Sequence, residues 1–266
     1  MALNIRHKQL FPDDTNVLPK PGTPEQAELI AEEEGIADES YLDTIRTFDP
    51  QAEVLYDEVA RNAYAALEAV GRTSDLRVLD LAAGTALEVH SLLKHDVSIR
   101  ELVLTDYSQK VLDVAKRMLE KVPQARAIKT EYLPFDLLAE SITNKVKPGY
   151  DLVMSCNSFM HFGKEDHLRI FKDVHEVMVD QGVFVFESHF RIMARDWKQT
   201  IIQATQERML SRGQEPAFVE TVGSHYARFH HFHPVHEVYN WFEQAGFGYY
   251  DCVYRNRMLG IFVAIK

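Results

Sequence analysis

Hydrophobic positions in the middle of the chain follow two alternating patterns, which predict strands and helices in turn. Short apolar runs predict strands at 77–81, 101–106, 127–130, 150–155 and 181–187. Between them, helical spacing of apolar residues predicts helices that include 88–94, 108–121 and 167–178. Strands that alternate with helices are typical of a parallel sheet covered on both faces. We therefore predict an α/β, doubly wound fold.

The C-terminal end departs from this alternation. A helix is predicted over 235–244, and Gly246 ends it. Two strands follow at 249–254 and 259–265, and only a few residues separate them. So short a connection favours an antiparallel hairpin, because parallel neighbours need a long crossover. We expect a mostly parallel sheet that is completed by an antiparallel hairpin.

The N-terminal end reads as an addition to this core. An extended arm leads to a helix start at Thr23, where Pro24 stands at the first helical position. A second amphipathic helix is predicted over 51–70 and ends at Gly71. We divide the chain into an N-terminal arm and helical cap over 1–72 and a core domain over 73–266.

Composition and charge narrow the classes of function. The chain has 266 residues, of which 46% are hydrophobic, and a formal net charge of -11. A nucleic-acid partner is not expected, because phosphate contacts need a basic surface. The two cysteines cannot build a disulfide framework, and no apolar stretch reaches the roughly 20 residues of a membrane span. We expect a cytoplasmic protein with a small-molecule substrate, no membrane partner, and a homodimer as an open alternative.

The most informative segment is the turn after the first predicted strand, residues 80–86. Ala82, Ala83, Gly84 and Ala86 are all small, so the backbone can approach a ligand closely. In doubly wound sheets this turn lies at the edge where ligands bind. A turn with one glycine does not suit a pyrophosphate, which a dinucleotide-binding domain wraps with G-x-G-x-x-G. It suits a ligand that presents a sugar and an amino acid, and Asp80 could meet a cationic amino group.

Two later carboxylates fit the same ligand. Asp106 ends the second predicted strand, where a carboxylate can accept hydrogen bonds from ribose hydroxyls. Ser108 is placed to cap the following helix. After the third predicted strand, Asp136 could accept from an adenine amino group while Phe135 or Leu137 packs on the ring.

These residues, together with the strand at 150–153, resemble the class I methyltransferase family from about residue 76 to the C-terminus. The resemblance implies a seven-stranded sheet and S-adenosylmethionine as cofactor. It also implies that Cys156 and Asn157 lie nearest the sulfonium and that a helix carrying Tyr56 folds over the cofactor. The first and third glycines that are usual in the family are Ala82 and Ala86 here, which we regard as a mild change.

The catalytic candidates are few, because methyl transfer mainly requires that the nucleophile be aligned with the methyl group. Asn157 could orient the substrate or merely cap a turn, and His161 could act as a general base or as a packing residue. The catalytic set is therefore His161, Asn157 and Tyr226. The cofactor-binding set is Tyr56, Asp80, Ala82, Gly84, Asp106, Tyr107, Phe135, Asp136 and Cys156.

The stretch from 192 to 233 is long enough to form a lid over this edge. It includes a predicted helix over 197–210 and an aromatic, histidine-rich end, in which Tyr226 and Arg228 are the expected substrate contacts. Four histidines at 230, 231, 233 and 236 raise the question of a metal, but their spacing matches no zinc pattern and we expect none.

The sequence thus favours an S-adenosylmethionine-dependent methyltransferase that acts on a small molecule. An enzyme of the same fold could instead transfer or cyclise the aminocarboxypropyl arm of the cofactor and release methylthioadenosine, since only the alignment differs. A non-catalytic binding module is the third alternative. The identity of the spent cofactor distinguishes these functions.

Overall fold

The computed structural model describes residues 52–191, 195–217, 219–220 and 230–266. Its helices are α1 (Ala52–Ala69), α2 (Leu87–Leu92), α3 (Gln109–Glu120), α4 (Lys164–Val177), α5 (Arg195–Ser211) and α6 (Val235–Ala245). Its strands are β1 (Leu76–Asp80), β2 (Ile99–Asp106), β3 (Lys129–Pro134), β4 (Tyr150–Ser155), β5 (Met178–His189), β6 (Tyr249–Asn256) and β7 (Leu259–Ile265). The expected helix start at Thr23 and the lid residues Tyr226 and Arg228 lie outside the described residues.

The strands form one seven-stranded sheet in the order β3-β2-β1-β4-β5-β7-β6. The neighbours from β3 to β5 are parallel, whereas β7 runs antiparallel to both β5 and β6. The doubly wound sheet and its C-terminal hairpin are therefore confirmed. The strand order reverses between β1 and β4, and such a reversal opens a crevice at the carboxyl ends of the strands.

Each face of the sheet packs into its own hydrophobic core, because successive strand residues point to opposite sides. Val183 and Val185 of β5 face a core that also contains Val59 and Leu67 of α1. The other face carries an aromatic core with contributions from the 3-10 turn after β4 and from α4, β5, α6 and β7, namely Phe159, Phe171, Phe184, Phe186, Phe242 and Phe262. Both faces of the central strands are buried, which explains why their sequences are continuous apolar runs rather than alternating ones.

Most predicted elements agree with the structure to within a few residues, but the third strand was placed wrongly. The sequence predicts it at 127–130, whereas Pro123–Ala127 forms a 3-10 helix and β3 covers Lys129–Pro134. Pro123 favours a helical first turn because its φ is already set for it. As an edge strand, β3 is only partly buried and therefore carries a weak apolar pattern.

The predicted helix ends are confirmed in detail. The Ser108 hydroxyl accepts a hydrogen bond from the Val111 N–H at 3.4 Å and caps α3. Gly246 ends α6 with φ of 97°, a left-handed conformation that glycine adopts without steric cost.

None of the helices in the described part of the chain combines the length and apolar character of a transmembrane span.

Candidate active site

The turn between β1 and α2 has an unusual backbone, with left-handed φ angles of 52° at Ala82, 53° at Gly84 and 60° at Ala86. Such angles cost an L-residue with a Cβ roughly 1–2 kcal/mol. The alanines at the two positions where the family usually has glycine therefore have a strained backbone. The hydrogen bond from the Ala83 N–H to the Thr105 carbonyl, 2.8 Å long, helps to hold the turn against β2.

Asp106 ties the end of β2 to this turn. Its Oδ2 accepts from the Gly84 N–H at 3.1 Å, and its Oδ1 accepts from the Ser108 N–H at 3.0 Å. The side chain is buried, and loss of hydration raises its pKa to about 6, although these backbone donors and that of Tyr107 oppose the shift. Asp106 thus presents an oriented carboxyl group at the carboxyl edge of the sheet.

Asp80 and Glu88 form a second buried acidic feature beside Asp106. Asp80 ends β1, Glu88 lies in the first turn of α2, and they are 0% and 2% exposed. Desolvation, and then the neighbouring Glu88 and Asp106 carboxyls, raises the pKa of Asp80 well above its usual value. Desolvation likewise raises the pKa of Glu88 to about 8. The two side chains lie within hydrogen-bond reach of each other, and within the described residues no other group donates to the Asp80 oxygens or to Glu88 Oε1.

The segment after β4 is fixed by Glu187, a buried residue near the end of β5. Glu187 Oε2 accepts from the Asn157 N–H at 2.9 Å and lies 3.9 Å from Cys156 Sγ. Asn157 has φ of 55°, a left-handed angle that asparagine tolerates better than most residues. The turn-forming role of Asn157 is therefore visible in its backbone, while the role of its amide towards a substrate stays a prediction.

Two hydroxyl groups connect the strand ends on either side of the crevice. Ser155 Oγ donates to the Leu81 carbonyl at 2.7 Å, and Thr105 Oγ1 donates to the Asp80 carbonyl at 3.0 Å. Both hydroxyls are buried, so these bonds hold β1 between β2 and β4. This bracing keeps the carboxylates at the edge in fixed relative positions.

Three histidines from different parts of the chain meet beyond Glu187. The ring centroid of His230 lies 4.8 Å from that of His161 and 5.4 Å from that of His189. Burial, and then the neighbouring His161, lowers the pKa of His189 to about 3, so its imidazole is neutral at physiological pH. No group of three or more His, Cys, Asp or Glu residues within the described ranges is arranged to hold a metal ion.

The end of the predicted lid is anchored at this edge. The Arg191 N–H donates to the His233 carbonyl at 3.0 Å, and the His231 N–H donates to the Met160 carbonyl at 2.6 Å. His233 Nε2 also lies 3.1 Å from the Phe162 carbonyl. The segment from 230 to 233 therefore bridges the end of β5 and the residues after β4.

Comparison with known proteins agrees with this geometry. Residues 79–184, which run from the end of β1 through the turn, β2, β3 and β4 to the middle of β5, match the family model of methyltransferase domains. Residues 79–184, less than half of the chain, are thus similar to methyltransferase domains. The matched residues lie within the longer region, from about residue 76 to the C-terminus, in which the sequence resembles this family, and the match confirms the prediction of a methyltransferase-like enzyme. No curated protein matches the chain in sequence.

Solved structures share the fold of the methyltransferase domain. The S-adenosylmethionine-dependent methyltransferase SibL is 16% identical with a TM-score of 0.56, and the alignment covers 96% of this chain and 64% of SibL. Magnesium protoporphyrin IX methyltransferase from Synechocystis PCC 6803 with bound SAH is 14% identical with a TM-score of 0.59, covering 89% and 99%. The carbon methyltransferase of CurJ is 12% identical with a TM-score of 0.60, covering 86% and 58%. This chain thus spans less than two thirds of SibL and of the CurJ structure, and the likeness concerns the fold.

The remaining candidate residues of the cofactor site lie on α1, directly after β2 and directly after β3. Tyr56 of α1 is buried in the same core cluster as Ala83, Ala86 and Cys156. Phe135 is buried in the opposite core cluster, and its N–H donates to the Asp106 carbonyl at 2.9 Å. Asp136 follows it and accepts from the Leu138 N–H through Oδ1 at 2.8 Å. Tyr107 follows Asp106 directly and is half-buried.

The sequence reasoning did not select Glu88. An acidic residue in the first turn of a helix usually reflects the favourable interaction with the helix dipole, so its type carried no special signal. Burial is what distinguishes Glu88, and burial depends on α1, which packs across α2. A charged residue in an otherwise apolar stretch, Ala86 to Val89, was the available clue.

Proposed function

We propose that this domain transfers a methyl group from S-adenosylmethionine to a small-molecule acceptor. The observation that carries the proposal is the left-handed turn from Ala82 to Ala86, bonded to Asp106 and adjacent to the buried Asp80. These residues lie where the strand order reverses, which is the usual ligand site of such sheets. The Synechocystis structure with the same fold was solved with bound SAH, the product of methyl transfer from this donor.

The nucleoside half of the donor fits the groups on β2 and after β3. Each Asp106 oxygen already accepts one backbone N–H, and a carboxylate oxygen can accept a second donor. Asp106 would accept the two ribose hydroxyls in this way. Asp136 uses Oδ1 for the Leu138 N–H, and its Oδ2 would accept from the adenine amino group. Tyr107 and Phe135 would form the adjoining walls.

The amino-acid half fits the groups on β1 and after β4. Asp80 has two buried acceptor oxygens, and an ammonium group would donate to them. The small side chains of Ala82 and Gly84 leave the backbone accessible, and a Cβ added at Gly84 would meet no atom within 4 Å. Tyr56 would close the site from the side of α1.

The sulfonium of S-adenosylmethionine supplies an electrophilic methyl group. This chain's residues would align the acceptor and exclude water, which suffices for an unprotonated nucleophile. Cys156 is not suited to be a nucleophile itself, because burial and then the Glu187 carboxylate raise the pKa of its thiol well above the usual value. For an acceptor that begins protonated, His161 would receive the proton as general base.

The acceptor would enter beside His161, His189 and His230. The three imidazole rings lie against one another and offer polar atoms to an acceptor. The His189 ring is neutral, so the surface is uncharged on that side. A small polar metabolite suits such a surface better than a polyanion, in keeping with the net charge of -11. Tyr226 and Arg228, outside the described residues, remain our candidates for further acceptor contacts.

Mass spectrometry of the spent donor tests this function. Incubation of the protein with S-adenosylmethionine and a library of small polar acceptors should yield S-adenosylhomocysteine and a product 14 mass units heavier, the mass of one methylene group. Methylthioadenosine would instead indicate transfer or cyclisation of the aminocarboxypropyl arm. Calorimetry without an acceptor completes the test, because absence of donor binding would contradict the proposal altogether.

A further inference from the structure

Asp80 and Glu88 are two buried carboxyl groups that approach each other from β1 and α2. Within the described residues, neither forms an ion pair with a Lys, Arg or His side chain, and both lie beside Asp106. Glu88 accepts from the backbone N–H of Cys156, which fixes it towards the segment after β4. A buried carboxyl pair without a cation is costly for the fold, so a ligand that compensates it is expected.

The number and kind of unpartnered atoms define that ligand. Asp80 and Glu88 lie within hydrogen-bond reach of each other, and a proton between them satisfies one oxygen on each. When both groups are ionised, Asp80 Oδ1, Asp80 Oδ2 and Glu88 Oε1 are three buried acceptors without a donor among the described residues. A primary ammonium group carries three N–H donors and a positive charge, and it is small enough for a site enclosed by a turn and a helix. A metal ion is a poorer candidate, since no metal-binding group of three side chains occurs in the described ranges.

The residues around the carboxyl pair indicate which kind of molecule would carry this ammonium group. Asp106, the proposed ribose acceptor, is close enough to both groups to influence their pKa values. The ammonium must therefore belong to a molecule whose sugar lies next to it. An adenosine that carries an amino acid on its 5′ side has this arrangement.

We propose that Glu88 is a cofactor-binding residue, which together with Asp80 receives the α-ammonium group of the methionine moiety. This inference rests on the proposed function. Glu88 would bring the first turn of α2 into direct contact with the methyl donor. The carboxyl pair would then favour adenosines that carry an amino acid over adenosines that lack one.

Binding would exchange a proton for the ammonium. Two adjacent buried carboxyl groups hold a proton between them, in agreement with the raised pKa values of both. When the ammonium donates its three N–H bonds, the carboxyl O–H bond breaks and that proton passes to the solvent. The titratable groups that interact with the pair are Asp106 and Cys156, and Glu187 in turn lies beside Cys156.

Calorimetry with two product nucleosides tests the assignment. S-adenosylhomocysteine carries the ammonium, whereas methylthioadenosine has the same nucleoside and a thioether but no amino acid. Glu88→Gln should lower the affinity for S-adenosylhomocysteine on the order of tenfold or more, as expected for the loss of a charged hydrogen bond. The affinity for methylthioadenosine should stay within about twofold of the wild-type value. Glu101→Gln is the matched control, because Glu101 pairs with Arg77 near the opposite end of β2, and it should change neither affinity.

The outcomes separate this inference from the proposed function. If the wild type binds neither nucleoside nor S-adenosylmethionine, the proposed function fails. If the wild type binds them and Glu88→Gln changes both nucleosides equally or neither, only the role of Glu88 is overturned. Should the variant not fold, the wild type still decides, because S-adenosylhomocysteine binding at pH 7 should release a proton that methylthioadenosine binding does not. If the enthalpy of S-adenosylhomocysteine binding is the same in buffers of different ionisation enthalpy, no proton is released and the exchange is refuted.

Discussion

Asp106 Oδ2 accepts a hydrogen bond from the Gly84 N–H at 3.1 Å, and this bond joins the end of β2 to the turn after β1. The same carboxyl group also accepts from the Ser108 N–H, so it connects the turn with the start of α3. Because the group is buried, its orientation is set by these donors rather than by water. A residue expected only to bind a ligand is therefore also part of the framework that shapes the site.

Asp106→Ala should weaken S-adenosylmethionine binding on the order of tenfold or more. The variant loses charged hydrogen bonds to the ribose, each worth roughly 1.5–3 kcal/mol, and also releases Gly84. Calorimetry measures the affinity, and circular dichroism checks the fold. Asp113→Ala is the control, since Asp113 lies on the exposed face of α3 and bonds only to Gln109 among the contacts described. Unchanged affinity would remove Asp106 from the site.

Ala82→Gly should stabilise the protein by about 0.5–1 kcal/mol. The substitution removes roughly 1–2 kcal/mol of left-handed strain, and the greater freedom of glycine in the unfolded chain offsets roughly 0.5–1 kcal/mol. Ala83→Gly provides the contrast, because Ala83 has no positive φ and its methyl group is buried, so it should be destabilised. Urea unfolding measures the free energy of unfolding of both variants. Equal destabilisation of the two would contradict backbone strain at Ala82.

His189 should make the wild type lose stability as the pH falls. Its pKa is about 3 in the folded protein, against 6.5 in the unfolded chain, so the unfolded state binds more protons between these values. Between pH 7.5 and pH 5.5 the wild type should lose on the order of 1 kcal/mol of unfolding free energy relative to His189→Gln. Unfolding of both proteins at the two pH values measures the difference. Parallel pH profiles would show that His189 is not desolvated.

Glu88→Gln should be more stable than the wild type, and the margin should grow from pH 5 to pH 8. The folded protein holds the Glu88 proton up to a pKa of about 8, whereas the unfolded chain releases it near 4.5. The wild type is thus penalised increasingly as the pH rises through this window. Glu101→Gln should show the opposite sign above pH 5, because desolvation of Glu101 is outweighed by Arg77 and Lys129, which lower its pKa. Melting temperatures at both pH values distinguish the two variants.

His161→Phe separates the two roles considered for this histidine. Phenylalanine preserves a ring against His230 but cannot accept a proton, so general base catalysis would fall by roughly 10²–10⁴-fold in turnover. Affinity for S-adenosylmethionine should stay within about twofold. The measurement is turnover with an identified acceptor, with His175→Phe on α4 as a control away from the carboxyl edge. Full activity of His161→Phe would assign His161 to packing.

The sequence by itself determined the succession of strands and helices along the chain and the C-terminal hairpin, and it predicted a ligand site at the carboxyl edge of the sheet. This was possible because the central strands are buried on both faces and the helices on one, and burial determines which positions along the chain are apolar. Asp80, Gly84 and Asp106 could be recognised for a similar reason: each occupies the end of a strand or the turn after one. The third strand was misplaced because β3 is an edge strand, where burial is weaker.

Only the tertiary structure decided how these side chains are paired and charged. Glu88 lies on a helix and Asp80 on a strand, and their proximity results from the packing of α1 and α2 against the sheet. The left-handed angles of Ala82 and Ala86, the bond from Gly84 to Asp106 and the meeting of His161, His189 and His230 likewise join residues that local spacing does not relate. Desolvation depends on the whole surrounding fold, and it is desolvation that turns ordinary carboxyl and imidazole groups into the perturbed ones of this site.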